Sequence, residues 1–159
     1  MKHLLLSIMI LLSSLSGSNL TVNVYKGTSR YSSDIICNLK DSKVYKKSSS
    51  YSGDIRCNIR KNKIYKGSSS YSGDVLYTVR NGKVYKENSS YSSDVIMTIR
   101  DGKLYKGNSS YKADVLANVK DGKVYSGNSS YHADILFSFN GHLTIEEFVA
   151  VWHAVNYSW

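Results

Sequence analysis

Residues 75–86 read VLYTVRNGKVYK. Val75, Tyr77 and Val79 alternate with Thr78 and Arg80, the period of a half-buried β-strand, which places those three side chains on one expected face. Asn81-Gly82 follows, the dipeptide that suits a type I′ turn because both central residues of that turn need positive φ. Lys83 to Lys86 then reads as the returning strand. The stretch predicts a β-hairpin. Asp101-Gly102 and Asp121-Gly122 occupy the equivalent turns, whereas Asp41-Ser42 and Lys61-Asn62 are poorer versions. The first two hairpins are therefore expected to be held more by their neighbours than by their turns.

Outward from this hairpin the chain repeats with a fixed period of twenty residues and no insertion, from Asn23, Lys43, Lys63, Lys83, Lys103 and Lys123. Four positions are identical in all six copies. They are a strand tyrosine (Tyr25, Tyr45, Tyr65, Tyr85, Tyr105, Tyr125), a serine (Ser29, Ser49, Ser69, Ser89, Ser109, Ser129), a second tyrosine (Tyr31, Tyr51, Tyr71, Tyr91, Tyr111, Tyr131) and an aspartate (Asp34, Asp54, Asp74, Asp94, Asp114, Asp134). Complete hairpins run 34–47, 54–67, 74–87, 94–107 and 114–127, which leaves a strand at each end, 23–27 and 134–139. Pairing these two would complete a sixth hairpin and shut the array into a ring-like, flower- or propeller-like array without bare edges. An open solenoid of stacked hairpins is the competing arrangement.

Residues 1–18, MKHLLLSIMILLSSLSGS, combine a basic start, an apolar run and small residues, the layout of a secretory signal peptide. Its removal leaves the repeat domain, 19–141, and a C-terminal segment, 142–159. There Thr144-Ile145-Glu146-Glu147 reads as a capping box, with Thr144 as the helix cap and Glu147 reaching back, flanked by Leu143 and Phe148 as a staple. A helix from about Ile145 to Val155 is apolar around most of its circumference, so it is expected to be buried as a plug or lid on the ring. The fold class is mainly β with one C-terminal α-helix. The chain carries a formal net charge of +9, with 21 basic and 12 acidic residues, and fourteen tyrosines against three phenylalanines and two tryptophans. Loss of the leader removes one lysine and leaves a basic surface. Tyrosine at this frequency implies many sites where a ring is part buried and part wet.

The DG and NG turns, the Ser-x-Tyr-x-x-Asp segment and the TIEEFVAVW ending at Thr144–Trp152 resemble the four-fold and five-fold β-flower repeat proteins of bacteria. The likeness covers residues 23 to about 157. It implies hairpins radiating about a pseudo-symmetry axis and no established activity; the departure is the number of copies, six here.

No catalytic or metal constellation is found in the sequence. His3, His132, His142 and His153 are scattered, and no spacing matches a metal motif, a phosphate loop or a nucleophile elbow. The expectation is a protein that is not an enzyme and takes no cofactor. Cys37 and Cys57 share one slot of adjacent units, filled elsewhere by Tyr77, Met97, Ala117 and Phe137. A buried packing role is the plain reading, and a disulfide between them is the alternative in an oxidising compartment. The sharpest feature is the set of six loop segments. Tyr31, Tyr51, Tyr71, Tyr91, Tyr111 and Tyr131, with Asp34, Asp54, Asp74, Asp94, Asp114 and Asp134, would form a ligand-facing ring for a cation or sugar. The scaffold reading has each aspartate bonding the turn before its strand and each tyrosine covering the next hairpin. Lysines and arginines recur periodically, which suits weak attraction to anionic polysaccharide or lipid head groups. The sequence leads to a secreted or periplasmic scaffold or binding module of the bacterial cell envelope. It would be a monomer with an envelope polysaccharide or protein as partner, no nucleic acid, and no membrane span once the leader is gone. The alternative is a small-ligand or glycan-binding module similar to choline-binding-type cell-wall repeats, although these repeats contain no tryptophan.

Overall fold

The computed structural model describes residues 20–157; the signal-peptide reading, residues 1–18, lies outside them. Twelve strands alternate in length: β1 (Val22–Lys26), β2 (Ile35–Lys40), β3 (Lys43–Lys46), β4 (Ile55–Arg60), β5 (Lys63–Lys66), β6 (Val75–Arg80), β7 (Lys83–Lys86), β8 (Val95–Arg100), β9 (Lys103–Lys106), β10 (Val115–Lys120), β11 (Lys123–Ser126) and β12 (Ile135–Phe139). Each pairs antiparallel with its neighbours in sequence, and β1 pairs with β12, so the sheet is a closed barrel rather than an open solenoid. The seam matches Val24 with Phe139, Tyr25 with Ser138 and Lys26 with Phe137. It is reinforced where Asn23 N–H donates to Asn140 Oδ1 at 2.6 Å and Arg30 donates to Ser138 Oγ at 2.7 Å. Closure removes the two unpaired strand edges that a linear array would expose.

At the hairpin turns Asp41, Ser42, Lys61, Asn81, Asp101 and Asp121 all take positive φ of 50–58°. Gly82 and Gly122 are needed for a second reason. A Cβ on Gly82 would sit 2.5 Å from the Ile99 carbonyl oxygen, and one on Gly122 2.8 Å from that of Phe139, so the turn backbone lies against the next hairpin. Asn62, in one of the poorer turns, donates its side-chain amide to the Val79 carbonyl of the following hairpin at 3.1 Å.

Between hairpins the register shifts in the same way each time. Ile64 lies opposite Tyr77 but Tyr65 opposite Val75, so Leu76 is an extra residue, a β-bulge. This corrects the simple alternation read from 75–80. Paired residues share a face, so Val75 lies with Tyr65 on the outer face while Tyr77 and Val79 point inward. The inner wall is thus three rings: Val24, Val44, Ile64, Val84, Leu104 and Val124; their bulge-side partners at 37, 57, 77, 97, 117 and 137; and their hairpin partners at 39, 59, 79, 99, 119 and 139.

Eight strands make a barrel that wall side chains can fill, but twelve leave a wider lumen. Here α1 (Ile145–Tyr157) occupies it. Phe148, Val149, Ala150, Val151, Trp152 and Ala154 are buried in one cluster with the inner rings. The helix leans towards β2–β5, and its capping box is formed as read: Thr144 N–H donates to Glu147 Oε2 at 2.8 Å, and Glu147 N–H to Thr144 Oγ1 at 3.2 Å. The helix is a plug through the barrel. No described helix is long and apolar enough to cross a membrane.

Candidate functional site

The second inner ring meets the helix, and its residues differ with what they meet. On the side towards which the helix leans the ring holds cysteine: Cys57 is fully buried and its thiol donates to the Ala150 carbonyl at 3.5 Å. Farther round, Phe137 reaches Trp152 with ring centroids 6.3 Å apart, and Tyr77 hydrogen-bonds His153 Nδ1 at 2.9 Å. Burial holds the Cys37 and Cys57 thiols up at about 12, with the neighbouring Cys57 charge adding to the effect at Cys37. Both are free. A disulfide is ruled out by topology: β3 runs between their strands, so their backbones are two strand spacings apart, roughly 10 Å, against the ~4.4–6.8 Å Cα separation a disulfide tolerates. Tyr77 is also raised to about 12, first by burial and then by the charges of Tyr157 and Cys57, and burial lowers His153. No group of three or more metal-binding side chains occurs among the described residues.

Neither repeated set of tyrosines lines the axis. The strand tyrosines lie on the outer face, where Tyr25, Tyr45, Tyr105 and Tyr125 are buried. Arg30 stacks over Tyr25, and Arg100 over Tyr105, at 5.3 and 5.4 Å. Behind them Asn38 and Asn58 each donate to two carbonyls of the following loop, Lys47 and Ser49, and Gly67 and Ser69. Thr78, Thr98 and Asn118 make one such bond each, to Glu87, Gly107 and Ser129. These polar residues on the strands hold the loops to the wall.

Each loop then carries its own lock. Ser69 Oγ donates to Asp74 Oδ2 at 2.5 Å and accepts the Tyr71 N–H at 3.2 Å, and Asp74 N–H donates to the Tyr71 carbonyl at 3.0 Å. The same three bonds recur at Ser29, Ser49, Ser89, Ser109 and Ser129 with Asp34, Asp54, Asp94, Asp114 and Asp134. A single 3₁₀ turn follows each tyrosine, such as Ser72–Asp74. The backbone of the six tyrosines is held at φ −77 to −81° and ψ 140 to 142°.

The serine and aspartate therefore have a structural task, as the scaffold reading expected. The tyrosine does not: Tyr31, Tyr51, Tyr71, Tyr91, Tyr111 and Tyr131 are 74–78% exposed and cover no neighbouring hairpin. The barrel displays one solvent-facing ring on a locked backbone per repeat around its circumference. At Tyr71 the ring borders a shallow recess shared with Lys66, Ser68, Ser69, Ser70 and Asp74. Sequence reasoning placed these residues together, but the direction of the tyrosine side chain depends on how the loop folds against the wall.

A second concavity lies at the other end, where the helix begins. It is an apolar cleft of about 280 Å³ between Ile99, Val119 and Phe139 of the wall and Leu143, Ile145 and Phe148. It exists because the helix leans to the opposite side.

Comparison with known families gives a match over residues 24–152 to the family described as 6-fold beta flower protein. No curated protein and no solved structure matches the chain.

Proposed function

The chain belongs to the six-fold β-flower family, and from that premise we propose that it is a non-enzymatic binding module exported to the bacterial cell envelope, with the six loop tyrosines as its contact surface. The observation that carries this reading is their uniform exposure on locked backbones. Tyrosine supplies a large amphipathic contact area with only two side-chain torsions to freeze, and the loop lock removes most of the backbone cost of binding. Export rests on the composition of residues 1–18, and the basic surface on the excess of 21 basic over 12 acidic residues, of which the leader carries one lysine. A choline-type cage would need rings facing each other across a pocket. The ring contacts among the described residues lie instead between the wall, the helix core and the helix end, which favours an open surface over a cage.

The test is sedimentation of the purified protein with isolated envelope fragments, beside a variant carrying Tyr31→Ser, Tyr71→Ser and Tyr111→Ser. Loss of retention by the variant at an unchanged unfolding midpoint is the expected result. Equal retention of both proteins would remove the tyrosines from the contact surface. N-terminal sequencing of exported material should begin after Ser16 or Ser18.

A further inference from the structure

Resting on the reading just given, we propose that the partner of the tyrosine ring is a linear anionic polysaccharide that lies across several loops at once. The first argument is from symmetry. Where a repeat position meets something unique, as the second inner ring meets one helix, its residue differs from copy to copy: cysteine, cysteine, tyrosine, methionine, alanine, phenylalanine. The loop tyrosine faces solvent and is the same in all six copies. Six like contacts on a closed ring suit a partner that is itself repetitive, because a unique protein epitope would engage one or two loops and leave the others without a task.

The second argument is chemical. The recess at Tyr71 gathers an aromatic face for the C–H face of a sugar ring, the Ser68 and Ser70 hydroxyls and Asp74 Oδ1 for sugar hydroxyls, and the Lys66 ammonium for an anionic substituent. Lys26, Lys46, Lys86 and Lys106 stand at the equivalent place in four other copies and Ser126 in the sixth. The net positive charge of the chain favours association with a polyanion. Neighbouring tyrosines are two strands apart, so their separation is at least roughly 10 Å. A ligand must exceed that span to bridge two of them. One such contact is weak, but linked contacts gain from effective concentration, with avidity gains on the order of 10²–10⁴.

The experiment is a calorimetric titration of the purified protein with short and long forms of two anionic polysaccharides, polygalacturonate (carboxylate) and poly(N-acetylmannosamine phosphate) (phosphodiester), with dextran as the neutral control. At least one long polyanion should bind at least about 100-fold more tightly per chain than its dimer unit. That gain should shrink with added salt and be largely lost in the Tyr31→Ser, Tyr71→Ser, Tyr111→Ser variant, and which polyanion shows it identifies the charged group. Affinity independent of length, equal binding of dextran, or an undiminished gain in the variant would each overturn the proposal. If neither polyanion binds while the variant still loses retention on envelope fragments, the polysaccharide inference falls and the binding-module reading stands. If retention also survives, both fall.

Discussion

The inner wall and the outer loops are built by the same twenty-residue unit, yet they have kept its symmetry to different degrees. Inside, the first ring is uniformly Val, Ile or Leu, while the second runs from Ala117 to Phe137 and Tyr77. Outside, Ser-x-Tyr-x-x-Asp is the same six times. A six-fold wall around one helix cannot present the same surroundings to each unit, because the helix has no six-fold axis and leans towards β2–β5. Each loop, by contrast, closes its hydrogen bonds within itself and against its own strand pair. Repetition survives where a unit's partners repeat and gives way where the partner is single.

That contrast is broken most severely at the helix. Trp152→Ala should cost ~3–5 kcal/mol, since Trp152 is buried against Phe137 and Phe148, and chemical denaturation would measure it. A cost below about 1 kcal/mol would mean that the wall does not depend on its plug. Next, Ala117→Phe installs the residue native to the equivalent position 137. Ala117 is fully buried, so overpacking should destabilise by ~1–3 kcal/mol; a neutral result would show that the inner slots are interchangeable.

Smaller effects sharpen the other half of the comparison. Ser69→Ala removes both the Asp74 and the Tyr71 bond and should cost ~1 kcal/mol. The same change at Ser49 or Ser109 should cost the same within error, and unequal costs would show that the loops are not independent units. The smallest effect expected is at His153, whose folded-state pKa burial lowers below the ordinary 6.5. The unfolded chain then binds the extra proton first, so stability is fully present above about pH 6.5 and declines as pH falls towards the folded value. Between pH 7.5 and 5 the urea midpoint of the protein should fall further than that of His153→Gln, on top of any pH-independent offset from the altered Tyr77 contact; equal falls would remove His153 from the acid response.

Much of this molecule was legible before any coordinates. The Asn81-Gly82 and Asp101-Gly102 turns, the unpaired strands at both ends and the Thr144–Glu147 box are local signals with local causes, and they led to six hairpins, a closed array and a capped helix. The number of copies, a departure from the four- and five-fold resemblance, agrees with the six-fold family. The face of Val75 was misread because a bulge at Leu76 shifts the pairing by one residue, and a period-two pattern carries no mark of that shift. The disulfide alternative failed for a related reason: the shared slot of Cys37 and Cys57 says that they point the same way, not that β3 stands between them.

What the amino-acid order determined by itself was the unit: its turn, its strand pair, its loop lock and its repetition, all governed by contacts a few residues apart. Only the tertiary structure decided which face is inside, where the helix leans and which of the two tyrosines in each unit meets water. Those outcomes depend on packing between residues far apart in the chain, and a buried Tyr25 differs from an exposed Tyr31 only through what the closed barrel places over each.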